Sequence, residues 1–149
     1  MLQSRSAGAQ ATREPRIGFV IPAFRQPFLL DEALASIWAL TGDMPFAVAA
    51  VNDGCPMPET ENGLQGWAAA APPGVMSVLR QPNKGLSAAR NTGARHLLRR
   101  HPSIEALFML DADNRLEPEA LEVFEAALAE RPEADWFYPL FDMFGIAEH

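Results

Sequence analysis

Two aspartates separated by one residue are the part of this sequence best suited to chemistry. Asp111 and Asp113 follow the apolar run 107–110, as expected where a buried strand ends. Ligands of open parallel sheets bind at the carboxyl ends of the strands. Two nearby carboxylates repel each other unless a proton or cation intervenes, and Mg²⁺ and Mn²⁺ favour carboxylate and phosphate oxygens. The pair predicts metal-dependent handling of a phosphorylated ligand, although a solvated turn explains an isolated Asp-x-Asp equally well.

Short apolar runs that alternate with longer segments of helical period predict the elements that position these aspartates. This alternation is typical of an α/β fold with a mostly parallel sheet and crossover helices. The predicted strands span 17–21, 46–51, 75–79, 106–110 and 135–141, and the predicted helices span 27–40, 60–70, 86–100 and 118–130. Pro22 is expected to stop the first strand. Because no helix follows the fifth predicted strand, we expect a domain that is incomplete at its carboxyl end.

The composition bounds the class of protein. The chain has 149 residues, of which 48% are hydrophobic, and is expected to form one globular domain over residues 16–149 after a flexible segment, residues 1–15. A net charge of −7 argues against nucleic-acid binding. The single cysteine, Cys55, fits a reducing compartment. No apolar run reaches the length of about 18 residues expected of a membrane span, so a cytoplasmic location is expected.

Two further loops are expected at the same edge of the sheet. Pro22, Ala23, Phe24 and Arg25 follow the first strand. The aromatic ring suits a planar base, although a strand ended by proline with the ring in the core is the simpler interpretation. Asp53 follows the second strand, and its carboxylate suits hydrogen bonds from a base or ribose as well as it suits a plain turn.

A third loop leads into the helix predicted from residue 86. Asn83, Lys84 and Gly85 precede this helix, and Arg90 follows about one turn later. Backbone N–H groups at a helix start, combined with two positive charges, suit a diphosphate. A capped helix with ordinary surface cations is the alternative. Gly93 is a poor residue for a helix interior, so we expect it to permit close packing of the helix on a strand.

These four segments, in this order, resemble glycosyltransferase family 2, a group of inverting enzymes that use nucleotide sugars and have the GT-A fold. The resemblance extends over about residues 16–145, and its motifs are IGFVIPAFR at 17–25, VNDGC at 51–55, NKGLSAARNTG at 83–93 and LDADN at 110–114. The chain departs from the pattern of the family at five positions, where the family commonly has Tyr, Asn, Asp, Ser and Asp: Phe24, Arg25, Asn52, Cys55 and Asn114.

The resemblance implies a role for each matching residue. The implied nucleotide-binding residues are Pro22, Ala23, Phe24, Arg25, Asp53, Asn83, Lys84, Gly85, Arg90, Asp111 and Ala112. Asp113 is the implied chief ligand of Mn²⁺ or Mg²⁺, and Asp111 contacts ribose or shares the metal. The catalytic base of the family is a carboxylate well after the Asp-x-Asp segment. No residue here matches it, and the late acids available are Glu133, Asp135 and Asp142.

The resemblance therefore predicts the donor-binding half of a glycosyltransferase. Its donor is a nucleotide-diphosphate sugar, with a UDP-sugar preferred, and its acceptor is an unidentified glycan, lipid or protein. A non-catalytic GT-A-like nucleotide-binding or scaffold domain is the main alternative. Two other enzyme classes fit the sequence less well. A haloacid dehalogenase-type phosphohydrolase carries its Asp-x-Asp near the amino terminus, whereas the pair here lies at 111–113. A nucleotidyltransferase has a glycine-rich loop after its first strand, where this chain has PAFR at 22–25. The sequence leaves open the oligomeric state and a membrane-peripheral location of a longer protein.

Overall fold

Four parallel strands alternate with four helices in the part of the chain that the structure describes. The computed structural model describes residues 13–140 and residue 142. Its strands are β1 (Ile17–Ala23), β2 (Phe46–Asp53), β3 (Met76–Gln81) and β4 (Ala106–Met109), and its helices are α1 (Pro27–Trp38), α2 (Pro58–Ala70), α3 (Leu86–Arg100) and α4 (Ala120–Glu130). The strand order is β3-β2-β1-β4. The predicted parallel α/β architecture is confirmed.

The two central strands are covered on both faces. Every residue of β1 and β2 is buried, as expected of parallel strands that lie between helical layers. The face that carries Phe19 and Val48 packs against α1, α2 and α4. The opposite face, with Val20 and Ala49, packs against Leu97 of α3. No helix within the described residues is long and apolar enough to cross a bilayer.

Pro22 does not stop β1, so this prediction was wrong. The strand continues to Ala23, and Pro22 pairs in register with Val51 of β2. The Leu110 N–H donates to the Val20 carbonyl on the β4 side of β1, at 2.9 Å. Backbone groups two residues apart in a strand point to the same side, so residue 22 faces this side as well. Strand β4 has already ended at Met109. The missing N–H of Pro22 therefore removes no hydrogen bond from the sheet.

The fifth predicted strand is also wrong over its described part. Residues 135–140 form no strand, and residue 141 lies outside the described residues. Trp136, Tyr138 and Leu140 are 80%, 92% and 101% exposed. An apolar run becomes a strand only where a neighbour pairs with its backbone, and none of the described residues does so here. Most of the segment predicted to be flexible, residues 1–12, lies outside the described part of the chain.

Gly93 brings α3 close to the sheet, as the sequence predicts. A Cβ atom on Gly93 would lie 2.5 Å from Val20 Cγ1 and 3.2 Å from Val51 Cγ2. The first distance is too short for any Cβ contact, and both valines are fully buried. Helix and strands therefore fit together only with glycine at this position.

We expect Gly93→Ala to lower the free energy of unfolding by about 1–3 kcal/mol, because overpacking of a buried contact outweighs the better helix propensity of alanine. Gly63→Ala in α2 is the matched control, since its Cβ would meet nothing within 4 Å. There we expect a gain of about 0.5–1 kcal/mol. Urea denaturation followed by circular dichroism measures both values. Equal stability of the two variants would contradict the close packing of α3.

Candidate functional site

The loops singled out in the sequence meet at one edge of the sheet. Because all four strands are parallel, the residues after Ala23, Asp53, Gln81 and Met109 emerge at the same end. Hydrogen bonds join these loops in pairs: the loop after β1 to that after β2, the loop after β2 to that after β3, and α3 to the segment after β4. This edge is the candidate site.

Asp53 is the buried centre of the site and is only 4% exposed. Its Oδ1 accepts hydrogen bonds from the Lys84 backbone N–H at 2.9 Å and from Gln81 Nε2 at 2.7 Å. Its Oδ2 accepts one from the Gly85 N–H at 3.0 Å. The N–H groups of Lys84 and Gly85, which were expected to bind a diphosphate, thus donate to Asp53 instead. A carboxylate has about four acceptor positions, so this one is nearly saturated and holds the β3–α3 loop.

One glycine allows these loops to approach each other, and a second allows the turn into α3. Gly54 has a φ of 67°, and a Cβ atom there would lie 2.5 Å from the Asn83 backbone nitrogen. Gly85 has a φ of 90° directly before α3. Residues that have a side chain rarely adopt such positive φ values. The turn after β2 therefore lies directly against the loop after β3.

Arg90 and Asp111 form an ion pair across the site. Arg90 Nη2 donates to Asp111 Oδ1 at 2.7 Å, and both side chains are about one-third exposed. The Asn114 N–H donates to the Asp111 carbonyl at 3.0 Å, so the Asp-x-Asp segment is a turn. Ala112 is buried within this turn and Asp113 is exposed. Asp111 is thus paired with Arg90, the side chain expected to lie near the diphosphate, while the Asp113 side chain faces solvent.

Asp111 and Asp113 suit a metal ion that is also coordinated by the phosphates of a bound nucleotide. No group of three or more His, Cys, Asp or Glu side chains suited to a metal ion occurs among residues 13–140 and 142. Mg²⁺ is commonly bound by only one or two carboxylates plus substrate phosphates and water. Asp113 and Asp111 fit that incomplete shell.

The loop after β1 is held in a strained conformation. Arg25 has a φ of 59°, which is uncommon for any residue except glycine. Its N–H donates to Cys55 Sγ at 3.2 Å, and Sγ lies 3.2 Å from Thr60 Oγ1. Burial alone would raise the pKa of the Cys55 thiol, but hydrogen bonds from Thr60 and from the Arg25 and Met57 backbones lower it below its ordinary value. Cys55 therefore ties this loop to the loop after β2.

Phe24 is at the surface of the site, so the interpretation that placed it in the core is wrong. Its side chain is 37% exposed. The Arg25 guanidinium carbon lies 5.2 Å from the centre of its ring, within the range of a cation–π contact. A partly open aromatic ring with an adjacent cation thus borders the edge where β1 ends.

A second network beside the site was not predicted from the sequence. Asn52 Nδ2 donates to Glu61 Oε2 at 2.8 Å, and Asn52 Oδ1 accepts from the Cys55 N–H at 3.0 Å. Asn52 stands where the family pattern has Asp, and an aspartate here would place a second carboxylate against Glu61. No local signal in the sequence links these residues, since Glu61 lies in the next helix.

Arg80 completes this network. Its Nε donates to Glu61 Oε1 at 2.6 Å, and this hydrogen bond is the main reason that the pKa of Glu61 falls from 4.5 to about 2. A carboxyl whose pKa is lowered by folding stabilises the fold above its ordinary pKa. The stabilisation is therefore complete above about pH 4.5 and is lost as the pH falls towards 2.

No hydrogen bond or ion pair among the described residues links the late acids Glu133, Asp135 and Asp142 to the loops of the site. The Thr41 N–H, after the end of α1, donates to the Pro118 carbonyl at 2.8 Å, and Arg16, directly before β1, contacts Glu125 at 3.3 Å. Helix α4 therefore lies near the amino ends of the strands, and Glu133 and Asp135 follow it in the chain. Arg131 Nε donates to Glu133 at 2.7 Å, and this bond lowers the pKa of Glu133.

Comparisons with known proteins agree with this fold. A family model described as "Glycosyl transferase family 2" matches residues 19–145. S. aureus TarS 1–349 is similar with a TM-score of 0.66 and 19% identity, over 78% of this chain and 33% of that chain. The same TarS segment in complex with UDP-GlcNAc has a TM-score of 0.66 at 19% identity, over 78% of this chain and 32% of the other.

A third similar structure is the mannosyltransferase PcManGT from Pyrobaculum calidifontis in complex with GDP-Man and Mn²⁺. It has a TM-score of 0.63 and 22% identity, over 80% of this chain and 34% of that one. At such identities the likeness concerns the fold, and the predicted GT-A architecture is confirmed. This chain spans about a third of the length of these structures. A search of curated proteins finds no match.

Proposed function

We propose, since this chain belongs to glycosyltransferase family 2, that it binds the nucleoside diphosphate of a sugar donor at the carboxyl edge of its sheet. The observation that carries this proposal is the meeting at that edge of Asp111 and Asp113, the loop at Lys84 and the open ring of Phe24. Family membership sets aside the phosphohydrolase and nucleotidyltransferase alternatives. Residues 16–149 are then the donor-binding domain of a glycosyltransferase.

Each end of the donor has a matching group at this edge. The ring of Phe24, with Pro22, Ala23 and Arg25 around it, suits a planar base. Lys84 is exposed, and its ammonium group suits the diphosphate together with Asn83 and Arg90 nearby, whereas the Gly85 N–H is engaged by Asp53. Asp53 acts here mainly by holding the loop at Lys84, with one acceptor position left for the nucleoside.

Asp113, with Asp111, would hold Mn²⁺ or Mg²⁺ at the diphosphate, and the backbone at Ala112 would lie beside the nucleotide. The structure of PcManGT with GDP-Man and Mn²⁺ supports a divalent ion in a related fold. When bound, such an ion stabilises the charge on the departing nucleotide. Arg90 fixes the orientation of Asp111 through the 2.7 Å ion pair and contributes positive charge beside the leaving group.

Transfer to the acceptor also needs a base, and no described residue matches the carboxylate that the family uses. In an inverting reaction a carboxylate accepts the proton of the acceptor hydroxyl as that hydroxyl attacks the sugar. We assign this base, and the acceptor site, to sequence outside residues 13–140. A cytoplasmic location fits the free thiol of Cys55. The alternative of a non-catalytic nucleotide-binding or scaffold domain is favoured by the lack of any residue that matches the catalytic base of the family.

Calorimetry with UDP and with GDP, each with and without Mn²⁺, tests the proposal. We expect both nucleotides to bind, UDP more tightly, and Mn²⁺ to raise the affinity at least about tenfold, which is about 1.4 kcal/mol. An absence of binding by either nucleotide would refute the proposed site. An affinity that Mn²⁺ leaves unchanged would refute the role of the metal.

A further inference from the structure

Charge is separated by helix in this protein. Helix α3 contains four arginines and no acidic residue. The other three helices among the described residues contain seven acidic residues, two in α1, two in α2 and three in α4, and no lysine or arginine. Arginine in the last turn of a helix complements the helix dipole, which accounts for Arg99 and Arg100. It does not account for Arg95, nor for the lack of acids along the whole of α3.

The sheet turns this separation into two oppositely charged faces. Among the described residues α3 is the only helix on the face of the sheet that carries Val20 and Ala49, whereas α1, α2 and α4 cover the other face. Helix α3 packs inward through Ala89, Gly93 and Leu97. In the described part of the chain, one outer side is therefore formed by a basic helix and the other by acidic helices.

The outward side of α3 presents Arg95, Leu98 and Arg99, which we call the arginine face. All three residues are exposed, and Leu98 is 48% exposed. By helical spacing, these positions lie opposite the buried positions 89, 93 and 97, whereas Arg100 lies on the side of the buried positions, close to Gly74. Within residues 13–140 and 142, no hydrogen bond or ion pair engages the side chains of Arg95 and Arg99. Their charges are thus open to a partner.

We propose that the arginine face docks on an anionic phospholipid bilayer, with α3 lying flat on the headgroups. Basic residues close to such a surface each add about fivefold to binding. The apolar face of α3 packs on the sheet, and the exposed Leu98 adds one apolar side chain that can enter the headgroup region between the arginines. Docking through α3 leaves the candidate donor site, at the carboxyl edge of the sheet, uncovered.

The net charge of −7 does not prevent this docking. The Debye length is about 8 Å at physiological ionic strength. Two helical layers on opposite faces of a sheet lie about 20 Å apart, since adjacent layers are about 10 Å apart. A bilayer that faces α3 therefore experiences the arginines much more strongly than the acids of α1, α2 and α4.

A second copy of the chain is a less suitable occupant. Its acidic face complements the arginine face, but contact between these two different faces stacks the molecules front to back. Such a contact does not close and leads to filaments. The bilayer satisfies the same charges without an open-ended assembly.

Co-sedimentation with vesicles tests the docking. We expect the 149-residue chain to bind vesicles of equal parts phosphatidylcholine and phosphatidylglycerol, not to bind pure phosphatidylcholine vesicles, and to be released by 0.5 M NaCl. R95Q/R99Q is expected to reduce binding roughly 30-fold. R115Q/R131Q removes the same charge from exposed positions near α1 and at the end of α4, and is expected to bind as well as the unmodified chain.

Three results would overturn the docking: failure of the chain to bind the anionic vesicles, equal loss of binding in both double variants, or tighter binding to a soluble polyanion such as heparin than to the vesicles. The last would assign the arginine face to an acidic macromolecule instead. Nucleotide calorimetry on R95Q/R99Q keeps the two proposals distinct. Its nucleotide affinity is expected to be unchanged, because Arg95 and Arg99 lie outside the candidate donor site.

Discussion

Asp113→Ala is expected to abolish the gain in nucleotide affinity that Mn²⁺ provides. The Asp113 carboxylate is exposed at the edge of the sheet, whereas Asp111 is already paired with Arg90. Removal of Asp113 leaves a cation with at most one protein carboxylate, which is itself engaged by a guanidinium. The affinity for UDP in the presence of Mn²⁺ should fall to its metal-free value, a loss of about tenfold or more, as measured by calorimetry.

Asp135→Ala is the control for this experiment. Asp135 is equally exposed, but it follows α4 in the chain and has no hydrogen bond or ion pair to the loops of the site among the described residues, so the gain from Mn²⁺ should persist in this variant. Because both substitutions remove one exposed carboxylate, a difference between them reports position and not charge. Equal losses would mean that the variants act through general destabilisation, and the metal role of Asp113 would have to be abandoned.

The four strands could be predicted because each has a strong local signal. Buried runs such as 17–21 and 46–51 read as continuous apolar segments, and Gly85 marks the start of α3. The errors lie where pairing decides the outcome. Strand β1 continues through Pro22 because β4 ends before it would pair with this residue. Residues 135–140 form no strand because none of the described residues pairs with them. The length and position of a neighbouring strand are not encoded in the segment itself.

The site divides in the same way. That its loops share one edge follows from the parallel topology, which the sequence predicts. Which groups contact each other does not follow, because the partners lie far apart along the chain. Asp53 binds the backbone of a loop about 30 residues later, and Asn52 binds Glu61 of the next helix. These contacts depend on the register of β2 with β3, which the periodicity of a single strand leaves open.

Asp53 illustrates why these distant contacts matter for stability. Its two oxygens receive three donors in a buried place: the N–H groups of Lys84 and Gly85 and the side-chain amide of Gln81. Each buried donor that loses its partner costs about 1–3 kcal/mol, partly offset where water enters. The close approach of Gly54 to Asn83 leaves little room for water between the loops.

We therefore expect Asp53→Ala to lower the free energy of unfolding by about 3 kcal/mol or more, and Asp53→Asn to lower it by about 1–2 kcal/mol. Asparagine keeps the oxygen that accepts from Lys84 and Gln81, but it turns its amide donor towards the Gly85 N–H. Urea denaturation measures both values, with Asp43→Asn as the matched control. Asp43 is exposed, and its backbone carbonyl, not its side chain, accepts the hydrogen bond from Arg13. If Asp53→Ala were no less stable than the control, the β3–α3 loop would not depend on this carboxylate. Its role in holding Lys84 at the donor site would then be lost as well.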